Sequence, residues 1–174
     1  MSDLVEVGKN IARLRKAKGL SQEEAAFAAD RSFSCWQQIE HGYQNTTADT
    51  LRCVARVLGV APLVLGVLSW SDAEILAAVR QAPQMPPAPF GKNIALFRKG
   101  KGLSQKELAK RAHVSAARLR DLEHDCANVT VAFLERVAAG LGVSALALGA
   151  LGLSEDQVLE MVHQAREMAE MQAA

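Results

Sequence analysis

The chain has 174 residues, of which 49% are hydrophobic and 22% charged, and its formal net charge is +1. Aromatic residues make up only 5%, which favours helices over strands. The sequence contains neither an apolar run of about 18 residues nor an N-terminal secretion signal, so we expect no membrane span and a cytoplasmic protein. Its three cysteines and four histidines fall at no ligand spacing, which argues against a disulfide framework or a zinc site.

A long internal repeat divides the chain into two halves. Residues 8–68 recur as residues 91–151 at a constant offset of 83 positions, and about half of the aligned residues are identical without a gap. A repeat of this length predicts two copies of one folded unit. We expect a first domain over 1–82, a proline-rich linker over 83–90 and a second domain over 91–174.

The first three helices of each copy are predicted from their ends and their apolar spacing. Ile11 and Leu14 mark the buried face of a first helix, which Gly19 terminates. The second helix starts with a capping box, formed by Ser21 and Glu24 in the first copy. A third helix follows a serine N-cap, and each of these start signals recurs 83 residues later.

Three further helices are predicted in each copy. Apolar residues at positions i, i+3 and i+7 after Thr47 predict a fourth helix, and a fifth follows at about 62–68. A sixth begins near Ser71, and its counterpart at Ser154 runs on to the C-terminus. Two interpretations of the sixth helices stay open. Each packs on its own domain, or the longer second one joins two chains into a homodimer through apolar residues near heptad spacing.

The charge is unevenly distributed along the chain. Residues 8–68 carry a net charge of +3 and residues 91–151 a net charge of +5, whereas residues 154–174 carry −4. The repeated units are therefore mildly basic, and the acidic tail cancels them in the total. A basic repeated unit is compatible with a phosphate-bearing partner.

The short spacing between the second and third helices predicts an all-α fold that contains a helix-turn-helix unit. Only a few residues separate the two helices, so they cross steeply and the third projects one face outward, as in a helix-turn-helix unit. The segments SQEEAAFAADRSFSCWQQIEHG and SQKELAKRAHVSAARLRDLEH resemble the phage-repressor/Cro (XRE-like) family of helix-turn-helix domains. The resemblance implies two tandem lambda-repressor-like domains of five helices, each with an extra C-terminal helix here.

The resemblance also implies roles for matching positions in the two copies. A basic residue of the first helix pairs inside each domain with a glutamate at the end of the third: Arg15 with Glu40, and Arg98 with Glu123. A glutamine at the start of the second helix and a histidine after the third contact the DNA backbone: Gln22 and His41, and Gln105 and His124. Each of these glutamines and histidines can also be a surface or helix-end residue without such a role.

Base recognition is implied for the exposed face of the third helix. The first copy offers Phe33, Ser34 and Gln38, flanked by Ser32 and Gln37. A glutamine pairs with adenine, and an apolar side chain contacts a thymine methyl group. The second copy offers Ala116, Ala117 and Asp121, with Arg118 and Arg120 alongside and Ser115 as N-cap. Because a helix dipole disfavours a cation in the first turn, we expect a phosphate or a guanine to hold Arg118; a solvated arginine is the alternative.

These features together favour a transcriptional regulator that binds double-stranded DNA sequence-specifically, and a repressor in particular. The expected host is a bacterium or a phage, with the protein on the nucleoid and without a cofactor. The linker, about 22 Å long if it adopts polyproline II, allows both third helices to reach one duplex. Acidic residues on the second helix permit contact with RNA polymerase. The alternative is an antitoxin-like or inhibitor-like protein-interaction module with one or both DNA faces lost. The sequence contains no constellation that indicates an enzyme.

Overall fold

A computed structural model describes residues 4–43, 46–80, 90–124, 127–149 and 153–171. Within these ranges the chain is helical and contains no strand. The first half forms six helices: α1 (Leu4–Ala17), α2 (Gln22–Ala28), α3 (Phe33–Glu40), α4 (Ala48–Leu58), α5 (Pro62–Val67) and α6 (Asp72–Val79). The second half repeats them as α7 (Phe90–Gly100), α8 (Gln105–Arg111), α9 (Ala116–Glu123), α10 (Val131–Leu141), α11 (Ala145–Gly149) and α12 (Glu155–Glu170). The predicted all-α fold with two tandem units is confirmed. The predicted linker lies outside the described residues except for Phe90, which begins α7.

Local sequence signals explain where the helices start. The capping box of α2 is complete, because Ser21 Oγ accepts from the Glu24 backbone N–H at 3.1 Å and the Glu24 carboxylate accepts from the Ser21 N–H at 2.8 Å. Ser104 and Glu107 form the same box at α8. The predicted capping boxes are therefore confirmed, and they set the register of the helices that carry the candidate site.

Each half has a hydrophobic core that lies behind its third helix. Trp36 is fully buried in the first core together with residues of α1, α4 and α5, whereas Leu119 fills the equivalent position in the second. Phe133, at the start of α10, is also buried in the second core. The third helices thus bury one face on their own domain and leave the opposite face exposed.

The last helix does not stay on its own domain, whereas α6 buries Ile75, Ala78 and Val79 in the core of the first half. α12 packs on α1 and α5 of the first half, as well as on α6, and α6 packs on α11 and α12. The apolar stripe of α12 belongs to the core of the first half, where its buried members are Val158, Val162, Ala165 and Ala169. The expectation that the last helix packs on its own domain is therefore wrong.

The burial of this stripe also bears on the predicted homodimer. Val158 and Val162 are fully buried within the chain, so the apolar face that suggested association of two chains is already covered. A homodimer through this face would require α12 to leave the first half.

The two halves also meet at an isolated antiparallel β-bridge between Thr47 and Thr130.

Candidate nucleic-acid interface

The second and third helices of each half form a tightly connected pair. α2 and α3 pack on each other, as do α8 and α9. The turn between them passes through the left-handed region at equivalent residues, with φ of 54° at Asp30 and 53° at His113. Non-glycine residues adopt this conformation seldom, and Asp and His are among those that tolerate it best. The sharp turn lets the third helix cross the second and present its outer face to solvent.

A buried ion pair connects the first, second and third helices. In the first half, Arg15 Nε donates to Glu40 Oε1 at 2.6 Å, and the side chains of the pair are 9% and 5% exposed. The Glu40 carboxylate also accepts from Gln22 Nε2 at 2.7 Å and from Trp36 Nε1 at 2.6 Å. A buried carboxylate with several donors is stabilised in its charged form. This cluster therefore holds α3 against α1 and α2.

The second half repeats the cluster with one donor fewer. Arg98 Nε lies 2.6 Å from Glu123 Oε1, and Gln105 Nε2 donates to Glu123 Oε2 at 2.8 Å. Arg98 also donates to the Leu103 carbonyl at 2.7 Å. Leucine replaces the tryptophan at position 119, so Glu123 lacks the indole donor. The difference is visible in the sequences of the two copies, because tryptophan is the only apolar side chain that carries an N–H group.

Opposing effects set the pKa of the two glutamates. Burial opposes ionisation and would raise the pKa of Glu40, but hydrogen bonds from Arg15, Gln22 and Trp36 and the charge of Arg15 outweigh it and lower the pKa. For Glu123, burial is again outweighed by Arg98 and Gln105, and the net result is a lowered pKa. Both carboxyls are therefore ionised at neutral pH, as an ion pair requires.

The two glutamines implicated in DNA contact belong to these clusters. Gln22 and Gln105 are the first residues of α2 and α8, and both are half-buried. One N–H of each side-chain amide is used by the glutamate. An amide has two N–H groups, and among the described residues only the glutamate accepts from each of these amides. The sequence treats the ion pair and the glutamine as separate features, whereas the structure joins them in one network that orients the amide.

The predicted base-reading face of α3 is accessible. Phe33, Ser34 and Gln38 are exposed, and Phe33 retains 43% of its surface despite being apolar. Ser32 has a local role as N-cap, because its Oγ accepts from the Cys35 N–H at 3.2 Å. Gln37 is half-buried. The structure thus leaves Phe33, Ser34 and Gln38 exposed on α3, and their role in base recognition stays a prediction.

The equivalent face of α9 differs in chemistry. Arg118 and Arg120 are exposed next to Ala116 and Ala117. The Arg120 guanidinium lies 3.9 Å from the carboxylate of Asp121, which gives this acid a partner within its own helix. Ser115 caps the helix by accepting from the Arg118 N–H at 3.3 Å. An alanine-rich face with two arginines is suited to guanine or phosphate rather than to adenine.

The position of Arg118 has an explanation that the sequence did not indicate. Its guanidinium carbon lies over the Phe133 ring, 5.5 Å from the centroid, and Arg136 approaches the same ring at 6.0 Å. A cation over an aromatic face is stabilised electrostatically. An external anion is thus not required to hold Arg118 in the first turn of α9. Its contact with DNA stays a prediction.

The two histidines lie at the ends of α3 and α9. His41 Nδ1 donates to the Gln37 carbonyl at 2.7 Å, and its ring stacks on Tyr43 with centroids 5.5 Å apart. Tyr43 itself is 82% exposed. His124 is the C-cap residue of α9 and is exposed. Both histidines therefore lie at the C-terminal end of the third helix, and their contact with the DNA backbone stays a prediction.

The second helices carry opposite charges in the two halves. The start of α2 holds Glu23, whereas Lys106 occupies the equivalent position of α8, and Lys110 and Arg111 end that helix. The net charges of the two repeated segments do not show that the difference lies on the second helices. Since affinity for DNA depends strongly on the number of neutralised phosphates, the second half is the better suited to phosphate contact.

The described residues hold no group of three or more histidine, cysteine, aspartate or glutamate side chains arranged for a metal ion. Within the same ranges, every helix is too short or too polar to cross a membrane.

Comparison with known proteins agrees with the geometry of both halves. A family model described as Helix-turn-helix matches residues 11–65 and again residues 94–148, together more than half of the chain. The protein named "Uncharacterized HTH-type transcriptional regulator y4dJ", from Sinorhizobium fredii (strain NBRC 101917 / NGR234), is 42% identical over 59 residues. The match covers 34% of this chain and 77% of that relative. No solved structure matches the chain.

Proposed function

Because the chain belongs to the helix-turn-helix family through both of its halves, we propose that it is a sequence-specific transcriptional regulator that binds promoter DNA with both units. The observation that carries the proposal is the shared architecture of the two third helices. In each half, a buried arginine–glutamate pair holds the third helix in place and orients a glutamine at the start of the second. Fixed donors around an exposed helix are what base recognition requires, because phosphate contacts set the register and side chains in the groove read the sequence.

The two faces would take different roles in this complex. Gln38 and Phe33 on α3 suit adenine and the thymine methyl group, respectively. Arg118 and Arg120 on α9 suit guanine. The basic residues of α8 would strengthen the phosphate contacts of the second half.

We further propose that the protein acts as a repressor. Occupying a promoter is sufficient for repression, whereas activation also needs a surface that contacts RNA polymerase. The acidic residues of α2 were the candidates for that surface. The Glu24 carboxylate is already used in the capping box, which leaves Glu23 on α2 and Asp30 in the turn after it. The protein would act in the cytoplasm of a bacterium, on the nucleoid.

A protein-interaction module is the second candidate. Phe27, on α2, is 89% exposed, and Asp121 on α9 already has an arginine partner. An exposed aromatic residue is typical of protein interfaces. In this case the DNA faces would have lost their role, and substitutions on α3 would leave DNA binding unchanged.

A salt titration with two variants distinguishes these functions. The intact protein and its Gln38→Ala and Arg118→Ala variants are titrated with the promoter duplex upstream of the protein's own gene, against random competitor DNA. Loss of a base contact costs about 1–3 kcal/mol, so each variant should bind about 5- to 150-fold more weakly. Arg136→Ala is the matched control for Arg118→Ala, since it removes the other guanidinium over Phe133.

The outcomes separate the proposals clearly. Specific binding that both variants weaken and Arg136→Ala does not supports a regulator that reads DNA with both halves. If only Gln38→Ala weakens binding, the second half has no role in base recognition. Binding that is equal for promoter and competitor DNA at every salt concentration contradicts regulation of its own promoter and favours a protein partner.

A further inference from the structure

Contacts between the two halves occur in pairs that an internal two-fold rotation relates. One such pair of hydrogen bonds lies just before the fourth helix of each half. The Ala48 N–H donates to the Val129 carbonyl at 2.8 Å, and the Val131 N–H donates to the Thr46 carbonyl at 2.9 Å. Exchanging each residue for its counterpart in the other half, 83 positions away, converts one hydrogen bond into the other. Such reciprocity defines a self-complementary contact, in which residue i contacts j and j contacts i.

The backbone at this bridge is nearly the same on both sides. Thr47 has φ −78° and ψ 154°, and Thr130 has φ −81° and ψ 156°. The bridge therefore has a local two-fold axis, and it lies between two domains that share their fold.

The sixth helices repeat the same exchange at a distant place. Arg80 Nε lies 2.8 Å from Glu155 Oε1, and His163 Nε2 lies 2.8 Å from Asp72 Oδ2. The 83-residue shift carries Asp72 to Glu155 and Arg80 to His163, so these two contacts are also copies of each other. Two separate places in the molecule therefore obey one symmetry operation.

Packing among the fifth and sixth helices follows the same operation, whereas the contact of α12 with α1 has no counterpart of similar size between α6 and α7 among the described residues. α5 packs on α11 and α6 packs on α12, and each of these pairs consists of a helix and its own copy. The contact of α5 with α12 has its counterpart in the contact of α6 with α11. The axis thus passes through the bridge and between the sixth helices. This is the arrangement of an isologous dimer, formed here within one chain.

The bridge follows the third helices at the same distance along the chain in both halves. Thr47 lies seven residues after the end of α3, and Thr130 lies seven residues after the end of α9. The third helices therefore flank the axis symmetrically. In dimeric helix-turn-helix proteins this symmetry places the two recognition helices in successive major-groove segments, about 34 Å apart.

The faces that the axis relates are nevertheless unlike. Each exposed readout residue of α9 differs from its counterpart on α3: Ala116 from Phe33, Ala117 from Ser34, Arg118 from Cys35, Arg120 from Gln37 and Asp121 from Gln38. A symmetric backbone with unlike faces cannot prefer identical half-sites, because the operator mirrors the side chains as well as the symmetry of the protein.

We infer that one chain is a complete internal dimer whose target is an asymmetric operator, with two unlike half-sites about one helical turn apart. This inference rests on the proposed DNA-binding function. The half-site under α3 contains A·T pairs, matched to Gln38 and Phe33, and the half-site under α9 contains G·C pairs, matched to Arg118 and Arg120. The operator therefore has a direction, and a single chain binds it in one orientation without a second copy.

Selection from a randomised duplex tests the inference with the intact protein. Duplexes with a random 30-base-pair segment are enriched by binding to the protein, and the mass of the complex gives the number of chains per duplex. The expected result is a non-palindromic motif of two unlike blocks, with centres about 10 base pairs apart, bound by one chain. Inserting five base pairs between the blocks turns one of them to the opposite side of the duplex, and it should weaken binding about 100-fold by removing simultaneous contact.

A variant with matched faces provides the control. Ala116→Phe, Ala117→Ser, Arg118→Cys, Arg120→Gln and Asp121→Gln together place the α3 face on α9, and all five positions are exposed. This variant should select a palindrome of the first half-site, still as one chain per duplex. Circular dichroism checks its fold, and the selection with the unmodified protein stands without it.

The contrary results are distinct. A palindromic motif bound by two chains, or a single block that tolerates the five-base-pair insertion, overturns the internal dimer while leaving DNA-binding regulation intact. The absence of any enriched motif contradicts the proposed function itself, and the inference falls with it.

Discussion

Replacing Val162 with alanine tests the crossing of the C-terminal helix onto the first half. Val162 lies in the middle of α12, is fully buried, and belongs to the same core as Trp36 and Leu58. The substitution removes two methyl groups, worth about 1.6 kcal/mol at about 0.8 kcal/mol per buried carbon. The cavity adds a further cost, so the free energy of unfolding should fall by about 2 kcal/mol.

Two measurements are needed to assign this loss to the correct half. The chain has two tryptophans, Trp36 and Trp70, and both lie in the first half. Urea unfolding followed by tryptophan fluorescence therefore reports on that half. Hydrogen exchange then locates the effect: amides of α1 and α5, which α12 covers, should exchange faster, whereas those of α8 and α9 should change little.

The control for Val162→Ala is Gln164→Ala, which alters an exposed side chain two residues further along α12. It should change stability by less than about 0.5 kcal/mol. If Val162→Ala instead accelerates exchange in α7 to α10 and leaves α1 and α5 unchanged, then α12 packs on the second half and the internal symmetry described above is wrong.

Three further predictions concern the buried clusters and the charge of the second helices. Glu40→Gln and Glu123→Gln should each lower the free energy of unfolding by about 3 kcal/mol in urea titrations at pH 7, because each leaves a buried arginine without its counter-charge; a loss below about 1 kcal/mol would contradict the importance of the pair. Folding lowers the pKa of both carboxyls from the ordinary value of 4.5, so their stabilisation is complete above that pH and is lost as the pH falls through the lowered values. As the pH falls below 4.5, the unmodified protein should therefore lose stability more steeply than either glutamine variant, which parallel acid titrations would measure. Glu23→Lys should tighten DNA binding and steepen the dependence of log affinity on log salt by about 1, since each phosphate contact contributes about 0.9 to that slope. Lys106→Glu should weaken binding and make the slope shallower by a similar amount. Equal slopes for both variants would place the starts of α2 and α8 away from DNA.

Much of the candidate site follows from sequence because it depends on local signals. The capping boxes at Ser21 and Ser104 define where α2 and α8 begin, since an N-cap acts on backbone groups two or three residues away. The exposed faces of α3 and α9 follow from helical periodicity once those starts are known. The resemblance to known domains supplied the arginine–glutamate pairs.

Other parts of the site require the folded chain. The contact of Gln22 with Glu40 joins residues 18 positions apart, and nothing in the local pattern of either residue indicates it. The stacking of Arg118 on Phe133 depends on how α10 crosses α9. These side chains come into contact only when the helices pack against each other. Composition and residue spacing therefore do not predict the contacts.

The two repeated units, their helices, their caps and the chemistry of each exposed face follow from the sequence alone, because they depend on neighbouring residues and on the repeat. How the units associate depends instead on the folded chain. The apolar spacing of Val158 and Val162 shows that α12 must be buried, but it does not identify the surface that buries it. Arg166 of α12 donates to the carbonyl of Leu68, 98 residues earlier in the chain, and this partner follows from shape and packing over the whole molecule. The internal two-fold axis has the same origin, since it arises from contacts between residues that the sequence places far apart.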